Sequence, residues 1–213
     1  MEAYTTEQEQ LEEMRKWWKK NGTATLMVIA VGLAALAGTR WWIHSQDVER
    51  QTASALYDQV VAALEKNDSA AVMERGGTIV SQYSRAPYAG LAALAMAKVK
   101  YEQNDSASAQ QYLRWVLDNA RDDAVIHVAR LRLAHVLLDG NQAGAALDLV
   151  KSVATDGFVA DYEELRGDIY VALNQASDAR RSYAAALAAP GFIADRATLQ
   201  MKIDDLGSAQ AQQ

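Results

Sequence analysis

Glu65-Lys66-Asn67-Asp68-Ser69-Ala70 returns 37 residues later as Glu102-Gln103-Asn104-Asp105-Ser106-Ala107. The same turn then falls at Asn141-Gln142 and at Asn174-Gln175, shifts of 37 and 33. Asparagine tolerates the left-handed or capping geometry that joins two antiparallel helices. Five residues beyond three of these asparagines come Ala109, Ala146 and Ala179, small enough for close helix contact. Around the turns, Ala, Leu, Arg, Gln and Glu are frequent, and apolar positions recur every three or four residues, the period of a helix. In 125–138, Val128, Leu131, Ala134, Val136 and Leu138 predict a helix buried on more than one side. Pro87 and Pro190 belong near helix ends, where proline is tolerated. The expectation is all-α: about three to four helical hairpins, each of about 34 residues, stacked as an α-solenoid. A closed alanine-rich bundle is the competing reading, but it gives no reason for a recurring turn.

Working outward towards the N-terminus, Asn21 to Thr39 is a run of 19 residues without a charge, NGTATLMVIAVGLAALAGT. About 20 helical residues cross roughly 30 Å of bilayer hydrocarbon. Trp17-Trp18 and Trp41-Trp42 flank the run. Indole rings favour the headgroup boundary, where the ring is shielded and the N–H stays wet. Trp18 and Trp41 are separated by roughly 35 Å of helix, a good match to two interfaces. These features predict a single N-terminal transmembrane helix over 21–43, with the four tryptophans at the membrane interface. Ala35-Leu36-Ala37 resembles a signal-peptide cleavage site, yet some 20 residues precede the apolar run and Arg40-Trp41-Trp42 follows it. A retained anchor fits better. Arg15, Lys16, Lys19 and Lys20 before the run, against Arg40 and Arg50 after it, predict a cytoplasmic N-terminus. Residues beyond about 47 then lie across the membrane, which in a bacterium is the periplasm. Ala30, Ala34 and Gly38 share one helix face, where small side chains would let a partner helix dock. Chance in an Ala- and Gly-rich span explains that spacing equally well.

Of the 213 residues, 50% are hydrophobic and 23% charged, enough to bury a core. There is no cysteine, hence no disulfide framework, thiol nucleophile or cysteine metal site. A net charge of -6 argues against a general nucleic-acid binder. Residues 1–46 balance five acidic against five basic side chains, so the excess acid lies beyond the span. His127 and His135 lie eight apart but lack further ligands, and Arg130 and Arg132 crowd them with positive charge. His44 belongs to the membrane exit. Asp122-Asp123, Glu163-Glu164 and Asp204-Asp205 are adjacent carboxylates that point apart on a helix, unsuited to paired acid/base work. No phosphate loop, dinucleotide fingerprint, nucleophile elbow or HExxH is present. The sequence reads as a non-enzyme without cofactor or metal.

Gly167, Tyr170, Ala179, Tyr183, Ala186 and Leu187, with Pro190 closing, resemble a tetratricopeptide repeat. Ala134, Leu137, Ala146, Val150 and Val153 stand at the same places one unit earlier, and Ala97, Ala109, Leu113, Val116 and Leu117 form a looser third. The unit near 53–84 departs most: Val72 replaces the small residue, and Gly76-Gly77 is expected to interrupt its second helix. The usual groove positions of such repeats, carried over, are Lys98 and Tyr101, then Leu131 and His135, then Asp161, Glu164 and Asp168. Their mixed character suits weak binding of an extended segment or partner helix, and equally suits a plain solvated face.

The chain as a whole resembles the YfgM family of bacterial inner-membrane proteins. The resemblance rests on the acidic start, Arg15-Lys16-Trp17-Trp18, Asn21-Gly22, Gly38-Thr39-Arg40-Trp41-Trp42, Leu165-Arg166-Gly167-Asp168 and Gln200-Met201-Lys202-Ile203, in that order. It implies an ancillary subunit of the Sec translocon that associates with the SecYEG channel and with a membrane-anchored periplasmic chaperone of the prolyl-isomerase type. It also implies help in passing emerging, unfolded polypeptides to periplasmic chaperones. The organisation expected is 1–20 as a cytoplasmic segment, 21–43 in the lipid bilayer, 44–207 as a periplasmic tetratricopeptide-like domain and 208–213 as a flexible tail. A membrane-tethered scaffold for another envelope assembly, such as cell-wall or division machinery, is the alternative.

Overall fold

At Asn67, Asn104, Asn141 and Asn174 the backbone turns left-handed, with φ of 54°, 61°, 58° and 59° in a computed structural model of the chain. The structure describes residues 7–152, 157–190 and 196–211. Each asparagine closes a helix in the same way. Asn104 N–H donates to the Tyr101 carbonyl and Asp105 N–H to that of Lys100, both at 2.9 Å, and the other three turns repeat the pair. Two carbonyls left open at the helix end are thereby satisfied. The very next residue stands at the N-cap position of the following helix, so the chain reverses within two residues.

The described residues form α1 (Glu7–Glu65), α2 (Ser69–Gln82), α3 (Pro87–Glu102), α4 (Ser106–Asn119), α5 (Asp123–Asp139), α6 (Ala143–Val150), α7 (Val159–Ala172), α8 (Ala176–Ala188) and α9 (Arg196–Ala211), with no strand among them. Pro87 occupies the first turn of α3, where its missing N–H costs nothing. The left-handed asparagines pair the end of α1 with α2, α3 with α4, α5 with α6, and α7 with α8. α9 follows as a closing helix and runs to Ala211, into the stretch 208–213 whose composition reads as a flexible tail. Val153, one of the repeat positions, lies outside the described residues.

The chain divides into two compact units, Met1–Glu49 and Arg50–Gln213. In the second, the small residues named from the repeat, Ala109, Ala146 and Ala179, are completely buried, as is Val72 at the equivalent place in the first hairpin. One core cluster runs from Ala93 to Ile169, and a second from Val60 to Val99. Val80, Tyr112 and Trp115 pack against both, so the core continues from hairpin to hairpin. A third cluster joins Tyr183 and Ala186 to Leu199 of α9.

Gly76-Gly77 does not interrupt α2, contrary to what its low helix propensity predicts. The helix continues because Gly76 is buried against α3: a Cβ there would lie 2.8 Å from Met96 Sδ. Close packing outweighs the roughly 1 kcal/mol that glycine costs within a helix.

In the first unit, no single helix among the described residues is long and apolar enough to cross a membrane. Gln10–Ala24 and Leu26–Trp42 satisfy length and composition only as a pair, bent by 46°. The bend leaves the segment after it about 25 Å long, which is why the straight span expected over 21–43 is not met by one helix.

Candidate interaction surfaces

α3 and α5 are the first helices of consecutive hairpins, and cavities lie between them. One, of ≈ 400 Å³, is lined by Lys98 and Tyr101 from α3 and by Arg132, His135 and Asp139 from α5, over a floor of Ala97, Leu113 and Val136. The structure therefore brings together three residues of the sequence-derived groove: Lys98, Tyr101 and His135. Their chemistry is partly tied. The Tyr101 hydroxyl donates to Asp139, and that hydrogen bond, with the aspartate charge behind it, raises the hydroxyl above the ordinary phenol range. Lys98 meets Glu102 at 3.6 Å with both side chains more than half exposed, a pairing worth little in water. His135 Nδ1 lies 2.9 Å from the Leu131 carbonyl. A carbonyl only accepts, so Nδ1 donates.

Leu131 lines no part of that cavity; it packs against the central core. Asp161 stands exposed in the first turn of α7. Glu164 and Asp168 face α9, where Lys202 Nζ reaches them at 3.0 and 2.7 Å. Burial opposes the Lys202 charge, but the two carboxylates outweigh it and hold its pKa above the usual lysine value. The Tyr183 hydroxyl also donates to Asp168, at 2.8 Å. Burial first, and Asp168 second, push that hydroxyl well above the ordinary phenol range. This cluster fastens the closing helix. The signal for it in the sequence is Lys202 within Gln200-Met201-Lys202-Ile203.

Arg132 and Asp139 are cavity residues that spacing alone did not single out, since the repeat shift of 37 places Arg132 opposite Ala95. His127 is held between helices: its Nδ1 lies 2.9 Å from the Tyr162 hydroxyl and its ring 5.1 Å from that of Phe158. Among the described residues no three His, Asp or Glu side chains are grouped to hold a metal. The adjacent carboxylates have separate structural duties. Asp122 Oδ1 accepts from Ala124 N–H at 2.9 Å, and Glu163 pairs with Arg166 at 2.8 Å.

The other surface lies in the unit Met1–Glu49. Leu26, Met27, Val28, Ile29, Val31, Leu33 and Leu36 are all more than half exposed, with Val28 at 72%. Trp17, Trp18, Trp41 and Trp42 are exposed at the two ends of this stretch, and Ala30, Ala34 and Gly38 within it are exposed as well. No atom lies close enough to Gly38 to meet an added Cβ. Trp18 instead lies over Gly22, whose added Cβ would meet its ring at 3.3 Å. Thr39 returns its hydroxyl to the carbonyls of Ala35 and Leu36, both at 3.0 Å, so that its one polar group is satisfied within the helix. Apolar area of this extent is far beyond what a soluble monomer leaves uncovered.

The profile of the tetratricopeptide repeat-like domain family matches residues 15–208. The chain belongs to that family. Its resemblance to the YfgM family holds as well. An ancillary SecYEG translocon subunit of Escherichia coli (strain K12) is 29% identical over 208 residues, covering 97% of this chain and 99% of that protein. Proteins of the same description from Haemophilus influenzae and Neisseria gonorrhoeae are 29% and 27% identical, with 96% and 97% of this chain covered and 100% of each relative. No solved structure matches this chain. The tetratricopeptide repeat-like match includes the apolar segment as well as the repeats.

Proposed function

We propose that this chain is a non-enzymatic ancillary subunit of the Sec translocon, anchored in the bacterial inner membrane by its N-terminal apolar segment and carrying its repeat domain in the periplasm. The observation that carries the reading is its near full-length match to proteins described as ancillary SecYEG translocon subunits. The uncovered apolar stretch between two tryptophan pairs supports the anchor. The four basic residues from Arg15 to Lys20 support a cytoplasmic N-terminus. In this reading the span docks beside the SecYEG channel, with Ala30, Ala34 and Gly38 as its close-packing face. The repeat domain recruits a membrane-anchored periplasmic chaperone of the prolyl-isomerase type and touches emerging polypeptides. Tethering raises the effective concentration of domain and partner, so each contact works even when weak.

Affinity purification from gently solubilised membranes tests this, comparing the full chain with residues 47–213. Channel subunits recovered only with the full chain, and a periplasmic chaperone with either, are the expected outcome. Recovery of a different envelope complex without the channel would replace the translocon reading with that of a tethered scaffold for cell-wall or division machinery.

A further inference from the structure

Ahead of the uncharged run, the helical stretch Gln10–Ala24 leaves the line of Leu26–Trp42 by 46°. Leu11, Met14 and Trp18 recur along it at helical spacing, and together with Glu12 and Arg15 they line one cavity of ≈ 600 Å³. All three apolar side chains are more than half exposed. They form a stripe that the described residues of their own unit leave open. A helix pointing straight out of a membrane would hold this stripe in water, whereas an inclined one can lay it against lipid.

The charges are ordered along the same stretch. Glu12 and Glu13 come first, then Arg15, Lys16, Lys19 and Lys20, then the uncharged run from Asn21. Arg15 and Lys19, one helical turn apart, flank the stripe on one side, while Lys16 and Lys20 lie further round the helix. None of the four cations has a hydrogen-bond or ion-pair partner among the described residues. Depth agrees with this order. Where Leu26–Trp42 stands along the bilayer normal, a helix inclined by 46° carries Arg15 to Lys20 through only about 5 Å of depth. The headgroup layer of one leaflet is roughly 5–7 Å thick, so all four cations fit within it and the two acids stand outside, towards water.

We propose that the segment from Leu11 to Lys20 is a docking helix for anionic phospholipid in the leaflet where the apolar stretch begins. Arg15 and Lys19 bind the headgroup phosphate, and Leu11, Met14 and Trp18 turn in among the first acyl carbons. Lys16 and Lys20 add attraction to the negative surface around them. Two observations select lipid as the occupant. The stripe is continuous with the apolar stretch that reads as the anchor, and its flanking charge is opposite to that of the lipid. The inference deepens the proposed function: it rests on the membrane anchor and not on the channel.

Spin-label accessibility of the full chain in nanodiscs tests it, since a chain without cysteine can be labelled at one site. Discs with two identical leaflets make the readout independent of orientation. Met14→Cys reports the stripe, Glu13→Cys the opposite face and Leu33→Cys the apolar stretch. In discs containing phosphatidylglycerol, labels at 14 and 33 should meet oxygen in preference to a water-soluble nickel probe, and the label at 13 should do the reverse. In phosphatidylcholine alone the label at 14 should shift towards nickel. Arg15→Gln with Lys19→Gln, made in the Met14→Cys chain, should lower the ratio of docked to free segment about thirtyfold in phosphatidylglycerol. Equal access of nickel to 13 and 14 would overturn the proposal. So would a reading at 14 that is the same in both lipids or unmoved by the double substitution. Exclusion of both probes from 14 would also overturn it, assigning the stripe to a protein contact. A label at 33 open to nickel would overturn the anchor reading and this proposal together. Loss of channel co-purification with the lipid contrast intact would remove the translocon reading and leave the docking helix in place.

Discussion

A methyl group added at Gly167 would enter the ring of Tyr183, lying 2.8 Å from its Cζ. The ring has little freedom to retreat, because its hydroxyl is tied to Asp168 and its face lies 5.4 Å from the Lys202 ammonium. Overpacking of this kind costs roughly 1–3 kcal/mol, and alanine's better helix propensity returns only about 1 kcal/mol. With the added methyl group inside the ring the cost falls at the upper end of that range, so Gly167→Ala should lower the stability of the repeat domain by about 2 kcal/mol, read as a lower thermal midpoint in circular dichroism. Gly76→Ala makes the informative contrast. Its Cβ would also crowd a neighbour, but that neighbour is the flexible thioether of Met96. The same melt should show Gly76→Ala within about 0.5 kcal/mol of the parent. Equal losses at both positions would mean that the two helix contacts are equally rigid, and would refute the distinction.

The four hairpins share their left-handed asparagines but not their caps. Asp68 and Asp105 follow the first two asparagines, and each accepts from a backbone N–H of the next helix, at 3.0 and 3.1 Å. Gln142 and Gln175 follow the other two and make no side-chain cap. Gln175→Asp should supply the missing acceptor at the start of α8 and add about 0.5–1 kcal/mol to stability in denaturant titration. An unchanged midpoint would show that the start of α8 is held by its packing alone. Hydrogen bonds from Ser108, side chain and backbone, hold the Asp105 carboxyl below the usual carboxylate range, with Lys100 at 3.5 Å assisting. A lowered folded pKa means stabilisation that is present above the unfolded value and lost as pH falls through the folded one. Asp105→Asn should accordingly be less stable than the parent at neutral pH, and the two should converge in acid. A gap that persists below the carboxylate range would assign the effect to packing. The hairpins were legible in the sequence because the left-handed turn selects asparagine at each repeat. The continuity of α2 was not: two glycines read as a break unless the Met96 side chain packed over Gly76 is known. Nor was the division of the groove residues, since Lys98 and Glu164 look alike on their own helices. Only Arg132 opposite the first and Lys202 beside the second separate a cavity wall from a fastening.

A chain without cysteine allows its topology to be tested one site at a time. The apolar stretch from Leu26 to Trp42 is left exposed by the described residues of its own unit, and contact with water costs about 25 cal/mol per Å² of that area. Lipid removes that cost, and a bend of 46° does not prevent crossing where the segments on either side together supply the length. In the proposed topology the charge bias keeps Arg15, Lys16, Lys19 and Lys20 in the cytoplasm and the repeat domain, with its acidic excess, outside. Two single-cysteine variants decide the matter: Glu12→Cys ahead of the basic cluster, and Glu74→Cys on the exposed side of α2. A membrane-impermeant maleimide added to spheroplasts should label the cysteine at 74 at once and the one at 12 only after detergent. Immediate labelling at 12 with protection at 74 would invert the orientation and place the groove in the cytoplasm. Labelling at both sites before detergent would mean that the apolar segment does not cross, leaving its exposed surface to a protein partner on one side of the membrane.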